Sequence, residues 1–284
     1  MTRQNRWNFD TTYATGDILY ASTTSELAKL NIGADGKVLT VVSGLPSWED
    51  SQGGGVNSLN LLYEEDFISL GSMGSNGIGN NVSGSGAVIT QIVGTATHPG
   101  LLQPSTGTTS SGVAELASCF NPTNTPGKGF LFGAGTYTLN WIMQIPTLST
   151  GTQRFIIRAG YRDVGSTTGT LNNGCWFEYV DNVNSGNWQI ICRKAGTSTT
   201  NNTSTAADTN YNKFTIIVNA DATSVTFKIN DVEVANSPIS TNIPNTTGQE
   251  CGAIFSIVKT VGGTARTFNF DWYSHYVQLT GARN

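Results

Sequence analysis

The sequence predicts an all-β protein: one large antiparallel β-sandwich of the jelly-roll type, preceded by a short extended or β-hairpin N-terminal attachment arm. Helical periodicity supports only two short candidates, Ser25 to Leu30 and Ala114 to Phe120. Period-two alternation, by contrast, recurs from Tyr137 to the C-terminus, with Gly, Asn, Asp, Ser and Thr clusters between the runs. That is the pattern of many short strands. A chain of 284 residues has room for one β domain of about 200–250 residues and an arm.

Residues 1–57 form the arm. Its apolar pieces, Gly16 to Ser22, Leu27 to Ile32, Lys37 to Val42 and Leu45 to Trp48, are separated by Gly33, Asp35-Gly36 and Gly44. Gln52-Gly-Gly-Gly55 then makes a flexible linker. Without disulfides or metal, a stretch below about 40 residues buries too little surface to fold alone. The apolar side chains Ile18, Leu19, Tyr20, Leu27, Leu30, Ile32, Val38, Leu39 and Trp48 are therefore the expected anchoring and oligomerisation residues.

Residues 58–284 form the expected sandwich. Leu61 to Ser69 reads as its first strand, a neighbour of the last. Gly71 to Gly112 is rich in Gly, Ser and Thr and holds one apolar run, Ala87 to Val93, so it reads as loop, strand, loop. The clearest strand puts Tyr137, Leu139, Trp141, Met143 and Ile145 on one face, which should enter the core. Further core faces follow at Phe155, Ile157 and Ala159, at Cys175, Phe177 and Tyr179, and at Trp188, Ile190 and Cys192. Phe214, Ile216 and Val218 come next, then Val225, Phe227 and Ile229, where Asn230-Asp231 turns the chain into a tight hairpin. The last runs group Ala253, Phe255 and Ile257, then Phe268, Phe270 and Trp272, before the aromatic strand Tyr273 to Leu279.

The run Gly16-Asp-Ile-Leu-Tyr-Ala-Ser, Leu27-Ala-Lys-Leu-Asn-Ile-Gly-Ala-Asp-Gly-Lys-Val-Leu-Thr-Val and Gly44-Leu-Pro-Ser-Trp48 resembles a module of bacteriophage tail-fibre and other structural proteins. The stretches from His98 to Leu102 and Ser105 to Ala114, the Asn219-to-Ile243 hairpin and Ile257-Val-Lys-Thr260 resemble the phage jelly-roll domains that often follow that module. This resemblance implies a concanavalin-like or laminin-G-like sandwich carried on a virion as a tail fibre, head fibre or decoration. It further implies a homotrimer joined to other virion structural proteins through residues 1–57, and it supplies no catalytic residue.

Composition narrows the partners. Only 12% of residues are charged, against about 25% in typical domains. With a net charge of -4 and 15 Lys and Arg scattered singly, no basic stripe exists to displace counterions from a phosphate backbone, so nucleic acid is not an expected partner. Met1 to Arg6 lacks the apolar stretch of a signal peptide, and no segment approaches the roughly 20 apolar residues that cross a bilayer. The expectation is a protein made in a host cytoplasm, not inserted into membrane, and resident in the virion. Cys119, Cys175, Cys192 and Cys251 form no C-x-x-C pair, which points to structural thiols.

The titratable clusters point to structure before chemistry. His98 precedes Pro99-Gly100 and reads as a turn residue, while His275 sits in an aromatic strand as a structural histidine. Glu64-Glu65-Asp66 reads as a solvated strand edge, and Glu178 has no second carboxylate beside it on its face, as glycoside cleavage would need. Asp181-Asn182-Val-Asn184 lacks a full calcium ligand set and reads as a turn. No cofactor, metal or catalytic residue is expected, and the protein is expected to bind rather than catalyse. Opposite the core faces, Arg158, Trp176, Glu178, Gln189 and Arg193 are expected to be exposed. A Trp among planar hydrogen-bonding groups there suits a host-surface glycan. Two readings stay open: a fibre or tail appendage displaying a lectin-like jelly roll, and a capsid decoration or head-fibre protein with no host ligand. A glycan-cleaving enzyme is the third.

Overall fold

The computed structural model describes residues 12, 14–23, 26–50, 60–67, 78–118, 129–164 and 171–281. Cys119, the linker from Gln52 to Gly55, and the run ends at Ser25, Ser69 and Phe120 lie outside the described residues. The chain divides into two compact units, Met1–Ser58 and Leu59–Asn284.

The N-terminal unit holds two antiparallel hairpins, β1 (Ile18–Ala21) with β2 (Leu27–Leu30), and β3 (Lys37–Val42) with β4 (Leu45–Asp50). The helical candidate at Ser25 to Leu30 is thus a strand where described, because Leu27 to Leu30 pair residue for residue with Ala21 to Ile18. Asp17 ties the unit together, accepting from the Ala14 N–H at 2.8 Å and the Ile32 N–H at 2.9 Å. Those two backbone bonds hold its carboxyl below the usual carboxylate range. Trp48 donates its indole N–H to the Asn31 carbonyl at 2.7 Å and lies over Gly33, where an added Cβ would come within 2.6 Å of the ring. No described residue of this unit is fully buried. Leu19, Ile32, Val38 and Leu39 are exposed, as are Val41, Val42 and Leu45, with Val41 at 71%; Ile18, Tyr20, Leu27, Leu30 and Trp48 are half-buried.

The second unit is a sandwich of two antiparallel sheets. In chain order its strands are β5 (Asn60–Glu65), β6 (Ile78–Ser83), β7 (Val88–Thr95), β8 (His98–Ser105), β9 (Val113–Ser118), β10 (Gly135–Gln144), β11 (Phe155–Arg162) and β12 (Gly174–Val180). They continue with β13 (Asn187–Lys194), β14 (Thr197–Ala206), β15 (Tyr211–Val218), β16 (Val225–Ile229), β17 (Val232–Glu233), β18 (Gly252–Lys259) and β19 (Asn269–Leu279). One sheet runs β17-β16-β15-β10-β19-β8-β7, with β5 also paired to β19; the other runs β14-β13-β12-β11-β18-β9-β6. The predicted sandwich is therefore the observed fold.

The period-two faces meet between the sheets. Trp141 of β10 stacks on Phe214 of β15 at 5.3 Å and reaches across to Phe177 of β12 and Phe255 of β18. Cys175 and Cys192 face each other in register, both fully buried, and burial pushes the Cys175 thiol well up. The Asn230-Asp231 turn closes β16 on β17 with both residues at positive φ, as a two-residue hairpin demands.

Three further expectations differ from the fold. The Ala114-to-Phe120 candidate is strand β9 up to Ser118, because its residues pair with both β18 and β6. Gly71 to Gly112 holds three strands where one was expected, since β6 and β8 find partners far along the chain. Trp272 does not follow Phe268 and Phe270 into the core: Ile142 pairs with Trp272 and Met143 with Phe270, so Asp271 is an extra, bulged residue. The bulge reverses the phase, turning Tyr273 and His275 inward and leaving Trp272 half-exposed.

Candidate functional site

The outer face of the seven-stranded sheet carries three parallel rows of side chains set by register. The first row runs Ser256, Arg158, Glu178, Gln189, Asn202 across β18, β11, β12, β13 and β14. The middle row runs Gly160, Trp176, Ile191, Thr200, and the third runs Arg162, Gly174, Arg193, Ser198. Adjacent strands lie about 4.8 Å apart, so side chains two strands apart still reach one another over a glycine.

These rows enclose a recess of about 360 Å³, lined among others by Arg158, Arg162, Trp176, Glu178, Ile191 and Arg193. Four of the five residues singled out in the sequence therefore converge. Gln189 does not line the recess; it donates its side-chain amide to Asn202 Oδ1 at 2.7 Å. Trp176 also departs from expectation, being 3% exposed and thus buried within the recess. Val164 and Leu171 line the same hollow. Gly174 makes room for the indole, since a Cβ there would stand 3.2 Å from Trp176 Cε3, while a Cβ on Gly160 would meet the Trp176 backbone at Cα at 2.8 Å and the core side chain Ile216 at 2.7 Å. Gly174 has φ +154°, and its added Cβ would also meet the Tyr161 carbonyl at 2.3 Å.

Charge in the recess is ordered. Arg158 Nε donates to Glu178 Oε2 at 2.6 Å across β11 and β12. Arg162, 1% exposed, donates through Nη2 to Glu115 Oε2 at 3.3 Å and Ser256 Oγ at 3.0 Å. Burial draws the Arg162 guanidinium down to about 10, while Glu115 pulls it back up. The Trp176 indole N–H is buried and has no hydrogen-bond partner among the described residues. Sequence reasoning missed Arg162 and Glu115, which were hidden because their strands are far apart in the chain.

A family described as SO2946-like, C-terminal domain, matches residues 97–271, more than half of the chain and all of these rows. The chain belongs to the SO2946-like family. In fold, the SO2946-like sandwich is similar to the SO2946 protein of Shewanella oneidensis MR-1, with TM-score 0.55 and 13% identity over 79% of this chain and 89% of that one. It is also similar to peanut lectin, with TM-score 0.54 and 10% identity over 78% and 99% of the two chains. The carbohydrate recognition domain of Emp46p gives TM-score 0.50 and 6% identity over 77% and 96%. No curated protein matches the chain in sequence. The lectin-like jelly-roll fold is shown by these likenesses.

The remaining chemical candidates of the SO2946-like domain sit elsewhere. His98 opens β8 instead of occupying the turn, because residues 96 and 97 make the turn and His98 pairs with Thr95. Its Nδ1 meets Asp271 Oδ2 at 2.6 Å, and its ring stacks on Tyr211 at 3.7 Å. The bulge at Asp271 is what brings that carboxylate to the histidine. Glu64 and Glu65 are engaged locally, accepting from the Trp272 indole at 2.8 Å and the Phe67 N–H at 3.1 Å. Asp181 accepts from Arg154 and Ser149, and Asn184 donates to the Trp188 and Thr203 carbonyls, so this turn uses its polar groups on the protein itself. Among the described residues no three His, Cys, Asp or Glu side chains converge to hold a metal ion.

Proposed function

We propose that this protein is a non-enzymatic appendage protein of a bacteriophage virion, of the fibre or tail type. Its N-terminal unit joins copies of the chain to one another and to the particle, and the outer face of its seven-stranded sheet takes a host-surface glycan. The observation that carries the reading is the recess at Trp176. Its volume falls in the range of small-molecule sites, about 300–1,000 Å³. The buried Trp176 ring lines it beside guanidinium, carboxylate and hydroxyl groups that suit a sugar's polar edge. The sandwich shared with peanut lectin and the Emp46p carbohydrate recognition domain supports a sugar as the ligand.

A glycan array tests this. The wild-type chain is expected to give a defined signal that Trp176→Ala abolishes, by collapsing the wall of the recess, and that Trp176→Phe, which keeps a buried ring there, partly retains. Absence of any wild-type signal removes the site.

The exposed apolar side chains of the N-terminal unit support the anchoring role, since a surface so rich in Leu, Ile and Val is stable only when covered. Light scattering on the full chain is expected to show a homotrimer. Leu39→Lys with Val41→Lys should reduce it to monomers while the unfolding of the jelly roll stays where it was. A wild-type monomer in dilute solution contradicts the anchoring role.

A further inference from the structure

We infer that the ligand of the Trp176 recess carries negative charge: an acidic sugar bearing a carboxylate or sulfate group, with Arg193 as the residue that holds the anion. This rests on the glycan reading above and narrows it.

Three of the chain's 15 Lys and Arg line this one recess, in a protein whose net charge is -4. Two of the three are matched inside the fold, Arg158 by Glu178 and Arg162 by Glu115. Arg193 meets no carboxylate among the described residues. Its Nε donates to the Gly196 carbonyl at 3.0 Å, which orients the guanidinium without neutralising it. Guanidinium binds carboxylate and sulfate oxygens through paired N–H donors, and such charge-assisted bonds are about twice as strong as neutral ones.

The surroundings of Arg193 favour the same ligand. Arg162 and Arg193 flank Gly174 in the same row, where the Trp176 ring packs over the glycine. Glu178 is the only carboxylate among the described lining residues, and it already accepts from Arg158. The recess thus offers donors in excess of acceptors. A neutral sugar, whose hydroxyls donate as readily as they accept, matches that imbalance poorly; an anion, whose oxygens only accept, matches it well.

The test is an array carrying neutral, uronate-, sialate- and sulfate-bearing glycans, read with the full wild-type chain and with Arg193→Gln, Arg193→Lys and Trp176→Ala. The expected result is a signal confined to acidic members that weakens at high salt and falls about tenfold or more in Arg193→Gln. Arg193→Lys should keep part of it, and thermal unfolding should be unchanged in both Arg193 variants. A signal on neutral members that Arg193→Gln leaves intact and Trp176→Ala removes overturns the acidic ligand while the glycan site stands. No signal on any member overturns both.

Discussion

Glu115→Leu is expected to lower the unfolding free energy of the jelly roll by about 3–5 kcal/mol, the usual cost of leaving a buried charge without its partner. Glu115 and Arg162 are each 1% exposed on the outer side of the seven-stranded sheet, joined at 3.3 Å, with Ser256 Oγ accepting from the same guanidinium nitrogen. Removing the carboxylate takes away the group that offsets the burial of the Arg162 guanidinium, whose desolvation is then uncompensated by that charge. The double variant Glu115→Leu with Arg162→Met replaces the pair by apolar groups and is expected to recover the lost stability, because desolvating two charges offsets most of what their attraction contributes. In thermal unfolding the single variant should melt on the order of 10 °C below wild type. Equal instability of the single and double variants would show that packing, not the unpaired charge, dominates.

Acid should destabilise the same domain through His275 by about 3 kcal/mol between pH 6.5 and 4. The imidazole is 3% exposed, with Phe130 at 4.1 Å, Tyr161 at 5.5 Å and Tyr137 at 6.4 Å, and its Nε2 has no partner among the described residues. Burial lowers its pKa to about 4. The unfolded chain takes up this proton near 6.5, whereas the folded chain holds off until about 4. Stability is therefore fully present above 6.5, declines as pH falls through that window, and levels off beneath it. His275→Phe keeps a ring in the aromatic cage and removes the titration, so the difference between variant and wild type should swing toward the variant by that amount over the same window. Denaturant unfolding at stepped pH reads this directly, and parallel curves for the two proteins would contradict it.

How far the sequence could be read depends on which polymer property each feature rests on. Alternation in Tyr137–Ile145 or Val225–Ile229 maps onto two sides of a strand whatever the partner, so the core faces were legible before any fold was known. The polar edge strand β14, all Thr, Ser and Asn until Ala206, has no apolar phase and escaped notice for that reason. The His98–Asp271 pair was illegible because its partners are 173 residues apart and one of them sits in a bulge.

At the candidate site the sequence placed Arg158, Trp176, Glu178 and Arg193 on one face of three neighbouring strands, and it left Trp176 open to solvent. Only the tertiary structure decided that Gly174 lies beside the indole, that Arg162 joins the group with Glu115 behind it, and that Trp176 is buried. It also decided the phase change at Asp271. The physical reason is that side-chain direction is a local consequence of strand geometry, whereas register, bulges and enclosure arise from which distant strands pair.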